Sequence, residues 1–80
     1  MNDKHQVVHT YLDLQATKEK NRPVWRSIVI ECPEWKIAHA RMRDSFASFL
    51  SSGMIAASFG PDSAYIETEA GGKEIWTITK

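Results

Sequence analysis

The fold of this chain is decided by one stretch of sequence, Val24-Trp25-Arg26-Ser27-Ile28-Val29-Ile30-Glu31. Its β-branched and aromatic residues predict a strand, and successive side chains of a strand point to opposite faces of the sheet. Val24, Ile28 and Ile30 would share one face, and Trp25 and Val29 the other. Strands that are apolar on both faces normally lie in sheets covered on both sides, but one helix in a chain of 80 residues covers only one side. We therefore expect something else to cover the second face.

Length and composition predict one small domain spanning residues 1–80. A chain of this size buries roughly 60% of its unfolded surface, which is enough for a single core. The hydrophobic content of 42% and the charged content of 25% are ordinary globular values and argue against disorder. The sequence shows neither a signal peptide nor the roughly 20 consecutive apolar residues of a membrane span. The one cysteine, Cys32, excludes an internal disulfide and fits a reducing compartment, so we expect a cytoplasmic protein.

The net charge is zero, but the charges are distributed unevenly along the chain. Residues 18–43 carry seven lysines and arginines against three glutamates, which gives +4. Residues 44–80 carry five acidic residues against two lysines, which gives −3. Such a chain can present a basic end and an acidic end, and either could steer a charged partner. A solvated surface of mixed sign is the simpler interpretation of so small an excess.

The segment at residues 6–16 fits two patterns, because its apolar residues alternate as in a strand and also fit one face of a helix. A polar connection at residues 17–23, ending in Pro23, leads directly into the strand at residues 24–31. Two strands around a short polar loop form an antiparallel hairpin, which favours a strand for the first segment. Leu12 and Leu14 would then share the helix-covered face with Ile28 and Ile30. A helix at residues 6–16 remains the alternative.

A helix is predicted at roughly residues 33–52. Pro33 suits the first turn of a helix, and Glu34 adds a carboxylate near the positive end of the helix dipole. Gly53 is a natural C-terminal stop. Apolar residues recur at intervals of three and four along about four turns: Trp35, Ala38, Met42, Phe46 and Phe49.

The remainder of the chain predicts a second hairpin. Residues 54–59 form a short apolar run that could add a fifth strand, and strands at residues 64–69 and 73–79 flank Ala70-Gly71-Gly72. A three-residue loop with Gly72 in the left-handed conformation pairs Glu69 with Lys73, Ile66 with Trp76 and Ala64 with Ile78. The alternative two-residue loop sets Glu69 against Glu74, and this repulsion favours the longer loop. The core face would then hold Ile66, Trp76 and Ile78.

Together these elements predict an α+β fold, with an antiparallel sheet of four or five strands in β-β-α-β-β order and one helix packed on one face. The uncovered face would carry an apolar patch. Contiguous aromatic residues on a sheet often mark an interface, so we expect this patch to bind a protein partner or a second copy of the chain. Loops or a curled sheet covering the same side chains are the alternative. The patch consists of Tyr11, Trp25, Val29, Tyr65 and Ile75.

Catalytic and metal-binding patterns are absent from the sequence. His5 and His9 have a metal-ligand spacing only if their segment is helical, and two ligands are too few, so we interpret them as surface histidines. Cys32 precedes a helix, where a thiol can become nucleophilic, but we interpret it as a small buried hydrophobe. No phosphate loop, hydrolase elbow or dinucleotide fingerprint occurs. We therefore expect no enzymatic activity, cofactor, metal or small-molecule substrate.

Nucleic acid is the alternative partner. Lys18, Lys20 and Arg22 lie in the connection before the strand, with Trp25 and Arg26 behind them. Cations interleaved with an aromatic residue are typical of nucleic-acid-binding surfaces.

Two resemblances bear on function. Phe46-Ala47-Ser48-Phe49-Leu50-Ser51-Ser52-Gly53-Met54-Ile55 resembles a winged-helix recognition helix running into a wing, with residues 68–72 and 76–79 as the wing hairpin. This implies nucleic-acid binding by the C-terminal half, although Pro23 and Pro33 interrupt a preceding helix that such a fold requires. In general type, by size and composition and without a shared motif, the chain resembles small accessory proteins of phages and mobile elements, including anti-CRISPR inhibitors. That resemblance implies an inhibitor or regulator that acts by protein–protein contact.

Overall fold

The computed structural model describes residues 4–50 and 53–79, and five strands and two helices lie within them. Both the predicted α+β class and the fifth strand at residues 54–59 are confirmed. The long helix begins two residues later than Pro33 and ends at Ser48, and the predicted helical positions 51 and 52 lie outside the described residues. The elements are β1 (His5–Leu12), α1 (Leu14–Lys20), β2 (Trp25–Cys32), α2 (Trp35–Ser48), β3 (Met54–Phe59), β4 (Ser63–Thr68) and β5 (Lys73–Thr79).

The five strands form one antiparallel sheet in the order β2-β1-β5-β4-β3. The first and last strands of the chain pair with each other at its centre, from Gln6 opposite Thr79 to Tyr11 opposite Glu74. This pairing joins the β1–β2 hairpin to the β3–β4–β5 meander. Strands β2 and β3 are consequently the two edges of the sheet.

The core lies between α2 and the central strands. Trp76 is fully buried, its indole Nε1 donates a hydrogen bond to Ser45 Oγ (2.9 Å), and its ring stacks on His9 with centroids 4.6 Å apart. The predicted core face of the second hairpin is confirmed, and Cys32 is the buried small hydrophobe that was expected. The buried cluster comprises Val7, Cys32, Ala38, Met42, Ala64, Ile66, Trp76 and Ile78, with Phe46 packed against it.

The connection between the first two strands is a helix where the sequence predicted a polar loop. Asp13 begins α1, because its carboxylate accepts a hydrogen bond from the backbone N–H of Ala16 (3.0 Å). Asn21 ends the helix in the left-handed conformation (φ 54°), a conformation that Asn tolerates better than most residues. The hydroxyl of Thr17 accepts a hydrogen bond from the backbone N–H of Val24 and fastens α1 to the start of β2. The prediction that the first strand continues to residue 16 was therefore wrong.

The register between β1 and β2 determines which residues share a face. Leu12 pairs with Trp25, so both side chains lie on the open face of the sheet, and Leu14 lies in α1. Tyr11 pairs with Arg26 and lies on the opposite face, which α2 covers. Its ring centroid is 5.6 Å from that of His9. The predictions that Tyr11 belongs to the open-face patch and that Leu12 lies on the helix-covered face were thus wrong, because the odd-numbered residues of β1 are the ones that pair with Arg26, Ile28 and Ile30.

The second hairpin has a register that differs by two residues from the prediction. Glu67 pairs with Lys73 and Ala64 with Trp76. The loop is longer because the hydroxyl of Thr68 accepts a hydrogen bond from the backbone N–H of Gly72 (3.0 Å). Gly71 has the positive φ (92°) that was predicted for Gly72. A shift of two residues keeps every side chain on its predicted face.

His5 and His9 are not surface histidines. His5 is buried, and His9 is half-buried with its Nε2 atom 2.7 Å from Glu74 Oε1. Both lie on the face of β1 that α2 covers, as Val7 does. They act as packing residues of the core.

Replacing Met42 by alanine tests the position of the core. Met42 is fully buried beneath α2, so the Met42→Ala variant should lose roughly 2–5 kcal/mol of unfolding free energy through the cavity it leaves. The matched control is Met54→Ala on the exposed strand β3, which should lose roughly 1 kcal/mol or less. Urea denaturation followed by circular dichroism measures both. Equal losses in the two variants would contradict the placement of the core.

Candidate functional site

The edge strand β2 is the candidate site, because seven of its eight residues are exposed and only Cys32 is buried. It pairs with β1 on one side and with no described strand on the other. The backbone N–H of Asp13 donates to the carbonyl of Val24 (2.8 Å), so Val24 belongs to a hydrogen-bonded pair. Such pairs alternate along an antiparallel ladder. The outward-facing N–H and carbonyl groups are therefore those of Trp25, Ser27, Val29 and Glu31.

Apolar side chains stand on both faces of this edge. Trp25 (45% exposed) and Val29 (53%) lie on the open face, and Ile28 (48%) and Ile30 (37%) lie on the face that carries α2. Four large exposed apolar side chains in a six-residue stretch of an edge strand are unusual for the surface of a monomer. We refer to these four side chains and the outward backbone of Trp25–Glu31 as the β2 edge.

Helix α2 leaves the β2 edge uncovered. His39 and Phe46 contact Phe59 on β3, with ring centroids 5.4 and 5.1 Å apart, so that flank of α2 faces the opposite edge. Ile37 lies on the other flank of the helix by its position in the turn, and it is exposed.

The whole chain exposes more surface than its size requires. Its accessible surface is 5518 Å², whereas about 4,900 Å² is typical for a compact monomer of this mass. Its radius of gyration is 13.6 Å, compared with about 11.6 Å for a typical domain of this length. The excess of roughly 600 Å² agrees with the flat shape of the molecule, which measures 45 × 26 × 15 Å along its principal axes.

The predicted open-face patch divides into two parts. At the edge, Trp25 pairs with Leu12 and Val29 with Val8, which gives two apolar pairs. The pair Thr10–Ser27 lies between them, and its hydroxyls share a hydrogen bond (3.0 Å). Tyr65 lies three strand spacings from β2, roughly 14 Å, where it pairs with Ile75 of β5.

The part around Tyr65 is more polar than the sequence suggested. Tyr65 and Ile75 are half-buried, and the Tyr65 hydroxyl donates a hydrogen bond to Glu67 Oε1 (2.7 Å). This hydrogen bond raises the pKa of the Tyr65 phenol above its usual value, with burial contributing less. The phenol therefore stays protonated, and its hydrogen-bonding need is met within its own hairpin. Trp25 and Val29 are consequently the more exposed and more apolar part of the predicted patch.

The four basic residues proposed for nucleic acid do not form one cluster with the aromatic residue. Lys18 and Lys20 lie in the last turn of α1, and Arg22 follows that helix. Arg26 lies on the face of β2 opposite to Trp25, where its Nε donates to Asp13 Oδ2 (2.6 Å). The guanidinium and the indole are thus separated by the sheet.

Asp13 holds the start of α1 and the start of β2 together. The backbone N–H of Ala16 and the hydrogen bond from Arg26 hold the pKa of its carboxyl below the usual 3.8. The two carboxylate oxygens are divided between these partners. The charge of Arg26 is therefore paired with that of Asp13 within the protein, and this ion pair orients the first residues of the β2 edge.

The arrangement of residues 4–50 and 53–79 provides no candidate metal site. No three histidine, cysteine or acidic side chains converge where they could hold a metal ion. A surface depression is lined by Lys4, Glu31, Cys32 and Pro33, and it contains no catalytic pair. None of the described helices is long and apolar enough to cross a membrane.

Comparisons with known proteins add no assignment: no protein-family model, no curated protein and no solved structure matches this chain. Functional inference therefore depends on the geometry of the β2 edge.

The sequence missed the exposure of Ile28 and Ile30. Their face was predicted correctly, but we expected the helix to cover them. Periodicity identifies the face of a strand and does not identify whether that strand is central or at an edge. The charges of Arg26 and Glu31 within the strand are the one signal of an edge position, because edge strands commonly carry charged residues.

The Asp13→Asn variant tests the junction at the start of β2. Asparagine caps a helix as well as aspartate does but lacks the charge, so the variant should melt at a lower temperature than the wild type at pH 7. Because the folded state lowers the pKa of Asp13, its charge stabilises the fold above pH 3.8 and progressively less below it. The difference in melting temperature should therefore shrink between pH 5 and pH 2.

Thermal melts followed by circular dichroism measure this difference. Glu34→Gln is the control, because Glu34 caps α2 without a side-chain hydrogen bond and its variant should melt close to the wild type at pH 7. A difference for Asp13→Asn that stays constant with pH would contradict the role of the charge.

Proposed function

We propose that this protein is a small non-enzymatic binding protein that acts through protein–protein contact, as an inhibitor or regulator, and that the β2 edge is its contact surface. One observation carries the proposal: the edge strand β2 has outward backbone groups on its free side and exposed apolar side chains on both of its faces. Edge strands of this kind bind other chains by adding a strand to the sheet.

The energetics favour a contact that uses backbone and side chains together. Burying the exposed half of four large apolar side chains contributes roughly 1 kcal/mol each, or roughly 4 kcal/mol in all. Association costs about 4–15 kcal/mol in lost translational and rotational freedom. The apolar side chains alone would therefore give weak binding. Hydrogen bonds from the outward backbone groups of Trp25, Ser27, Val29 and Glu31 supply the additional affinity and the register.

The type of regulator is inferred from general resemblance. A small chain that has an exposed edge strand and no metal-binding cluster in its described residues resembles, in general type, the accessory proteins of phages and mobile elements, including anti-CRISPR inhibitors. This supports an inhibitor or regulator within the class of binding proteins.

Nucleic-acid binding is the second candidate function. Lys18, Lys20 and Arg22 are exposed at one end of the sheet and could contact phosphates. The separation of Arg26 from Trp25 weakens this alternative, because base stacking and phosphate contact would then use different faces.

The Trp25→Glu variant tests the proposed surface. Proteins that the tagged wild type captures from a lysate of the source cells should be lost with Trp25→Glu, because the substitution places a charge in the apolar part of the β2 edge. The Ile55→Glu control places the same charge on the other edge, at a residue that is similarly exposed, and should retain the captured proteins. Quantitative mass spectrometry compares the three baits after circular dichroism has shown each to be folded. Equal capture by wild type and Trp25→Glu would contradict the proposal.

A salt titration tests the alternative. Fluorescence anisotropy with mixed-sequence single- and double-stranded oligonucleotides should show no saturable binding at 50 mM salt. Binding that weakens steeply with salt, and that disappears in the Lys18→Glu/Lys20→Glu/Arg22→Glu variant, would instead establish nucleic acid as the partner.

A further inference from the structure

We propose that the chain forms a homodimer in which the β2 edge of one copy pairs with that of a second copy about a two-fold axis. The two five-stranded sheets then become one antiparallel sheet of ten strands. This inference rests on the proposed use of the β2 edge as the contact surface, and it identifies the binding partner at that edge as a second copy of the chain.

The pattern of the β2 edge is self-complementary. Backbone groups of residues 25, 27, 29 and 31 point outward, and antiparallel copies hydrogen-bond through residues of this same set. Side chains that are directly opposite in an antiparallel pair share a face. Open-face residues of one copy, such as Trp25 and Val29, therefore lie opposite open-face residues of the other. Ile28 and Ile30 likewise lie opposite residues of the face that carries α2. The axis is perpendicular to the sheet and places both α2 helices on the same face.

Side-chain chemistry selects one register. An axis at Ser27 sets Trp25 opposite Val29 of the second copy, which is a favourable aromatic and β-branched pair. An axis at Ile28 sets Trp25 opposite Glu31 and separates the apolar residues of the open face. On the other face, the axis at Ser27 sets Ile30 opposite Val24 and Ile28 opposite Arg26. It sets Glu31 opposite Pro23, whose missing N–H ends the ladder of hydrogen bonds there. Like charges are opposed in neither register.

The areas and charges agree with a second copy. Stable protein interfaces bury about 1,200 Å² or more in total, so each of two copies would have to cover roughly 600 Å² of its surface. The net charge of the chain is zero, so two copies approach without overall repulsion. A second copy also carries apolar side chains on both faces of its strand, as the β2 edge requires.

The other edge of the sheet is less suited to pairing. Strand β3 has six residues against eight in β2, and its ladder with β4 is broken by an irregularity between Met54 and Ala56. Bulges of this kind twist an edge away from further strands. The ladder of β2 with β1 runs without interruption from Trp25 to Cys32.

Analytical ultracentrifugation of matched variants tests the dimer. Val29 (53% exposed) and Ile55 (57% exposed) are β-branched residues on opposite edges, so both tolerate lysine in the monomer. Wild type and Ile55→Lys should sediment with twice the mass of the chain at 100 µM. Val29→Lys should sediment with the mass of one chain and keep the wild-type circular dichroism spectrum.

Cysteine cross-linking tests the register independently of folding stability. Ser27→Cys lies on the proposed axis and should form a disulfide-linked dimer under mild oxidation. Ala57→Cys is the control, because its backbone also faces outward, but from β3. It should stay monomeric on a non-reducing gel. Cross-linking of Ala57→Cys in place of Ser27→Cys would overturn the proposal.

The outcomes separate this inference from the proposed function. A wild type that sediments as a monomer at all concentrations overturns the homodimer, and the proposed function survives if Trp25→Glu still abolishes capture of another protein. A dimer that persists in Val29→Lys and dissociates in Ile55→Lys overturns the homodimer through β2. Loss of self-association in Val29→Lys alone, with cross-linking at position 27, supports it.

Discussion

The structure depends on a mismatch between one helix and one sheet. Helix α2 has 14 residues and is therefore roughly 21 Å long, with a diameter of about 10 Å including side chains. The sheet is wider, because five strands at about 4.8 Å spacing extend roughly 19 Å between the axes of the edge strands. One helix can cover much of the three inner strands and not the edges. The strand residues of the core consequently lie on β1, β5 and β4, apart from Cys32 at the end of β2, and the rest of β2 stays exposed although its sequence is apolar.

The small core is stabilised by specific packing at its centre. Trp76 is buried on the middle strand β5, where its ring stacks on His9 and its N–H reaches Ser45 on α2. His9 in turn contacts Glu74, so a polar pair is satisfied beside the largest side chain of the core. A large aromatic residue whose polar atom is hydrogen-bonded buries a large apolar surface, although only one residue has to be ordered. This compensates for the limited cover that a single helix provides.

The sequence predicted the helices and strands, and the faces of their side chains, better than it predicted the strand registers and which strands are neighbours in the sheet. The face of Ile66, Trp76 and Ile78 was predicted correctly despite a register that was two residues off, because the alternation of side chains survives any even shift. Tyr11 was assigned to the wrong face because the register of β1 against β2 differs from the expected one by an odd number of residues, and the alternation in residues 6–16 alone does not report that register.

The pairing of β1 with β5 was not predictable for a related reason. It joins the two ends of the chain through long-range contacts, and periodicity does not report which strands are neighbours. For the candidate site, Trp25 and Val29 were found from their alternation. The exposure of Ile28 and Ile30 required the position of β2 in the sheet.

The difference between the two edges bears on why β2 is exposed. Natural sheets protect their edges by bulges, short strands or charges, and β3 has the first two of these features. On β2, the charge of Arg26 is neutralised by Asp13, which leaves Glu31 as the one other charge along eight residues. The proposed pairing of β2 with a second copy would account for this difference between the two edges. In that dimer, the apolar residues on both faces of β2 would belong to a buried strand of a larger sheet, which is the environment in which such a sequence pattern normally occurs.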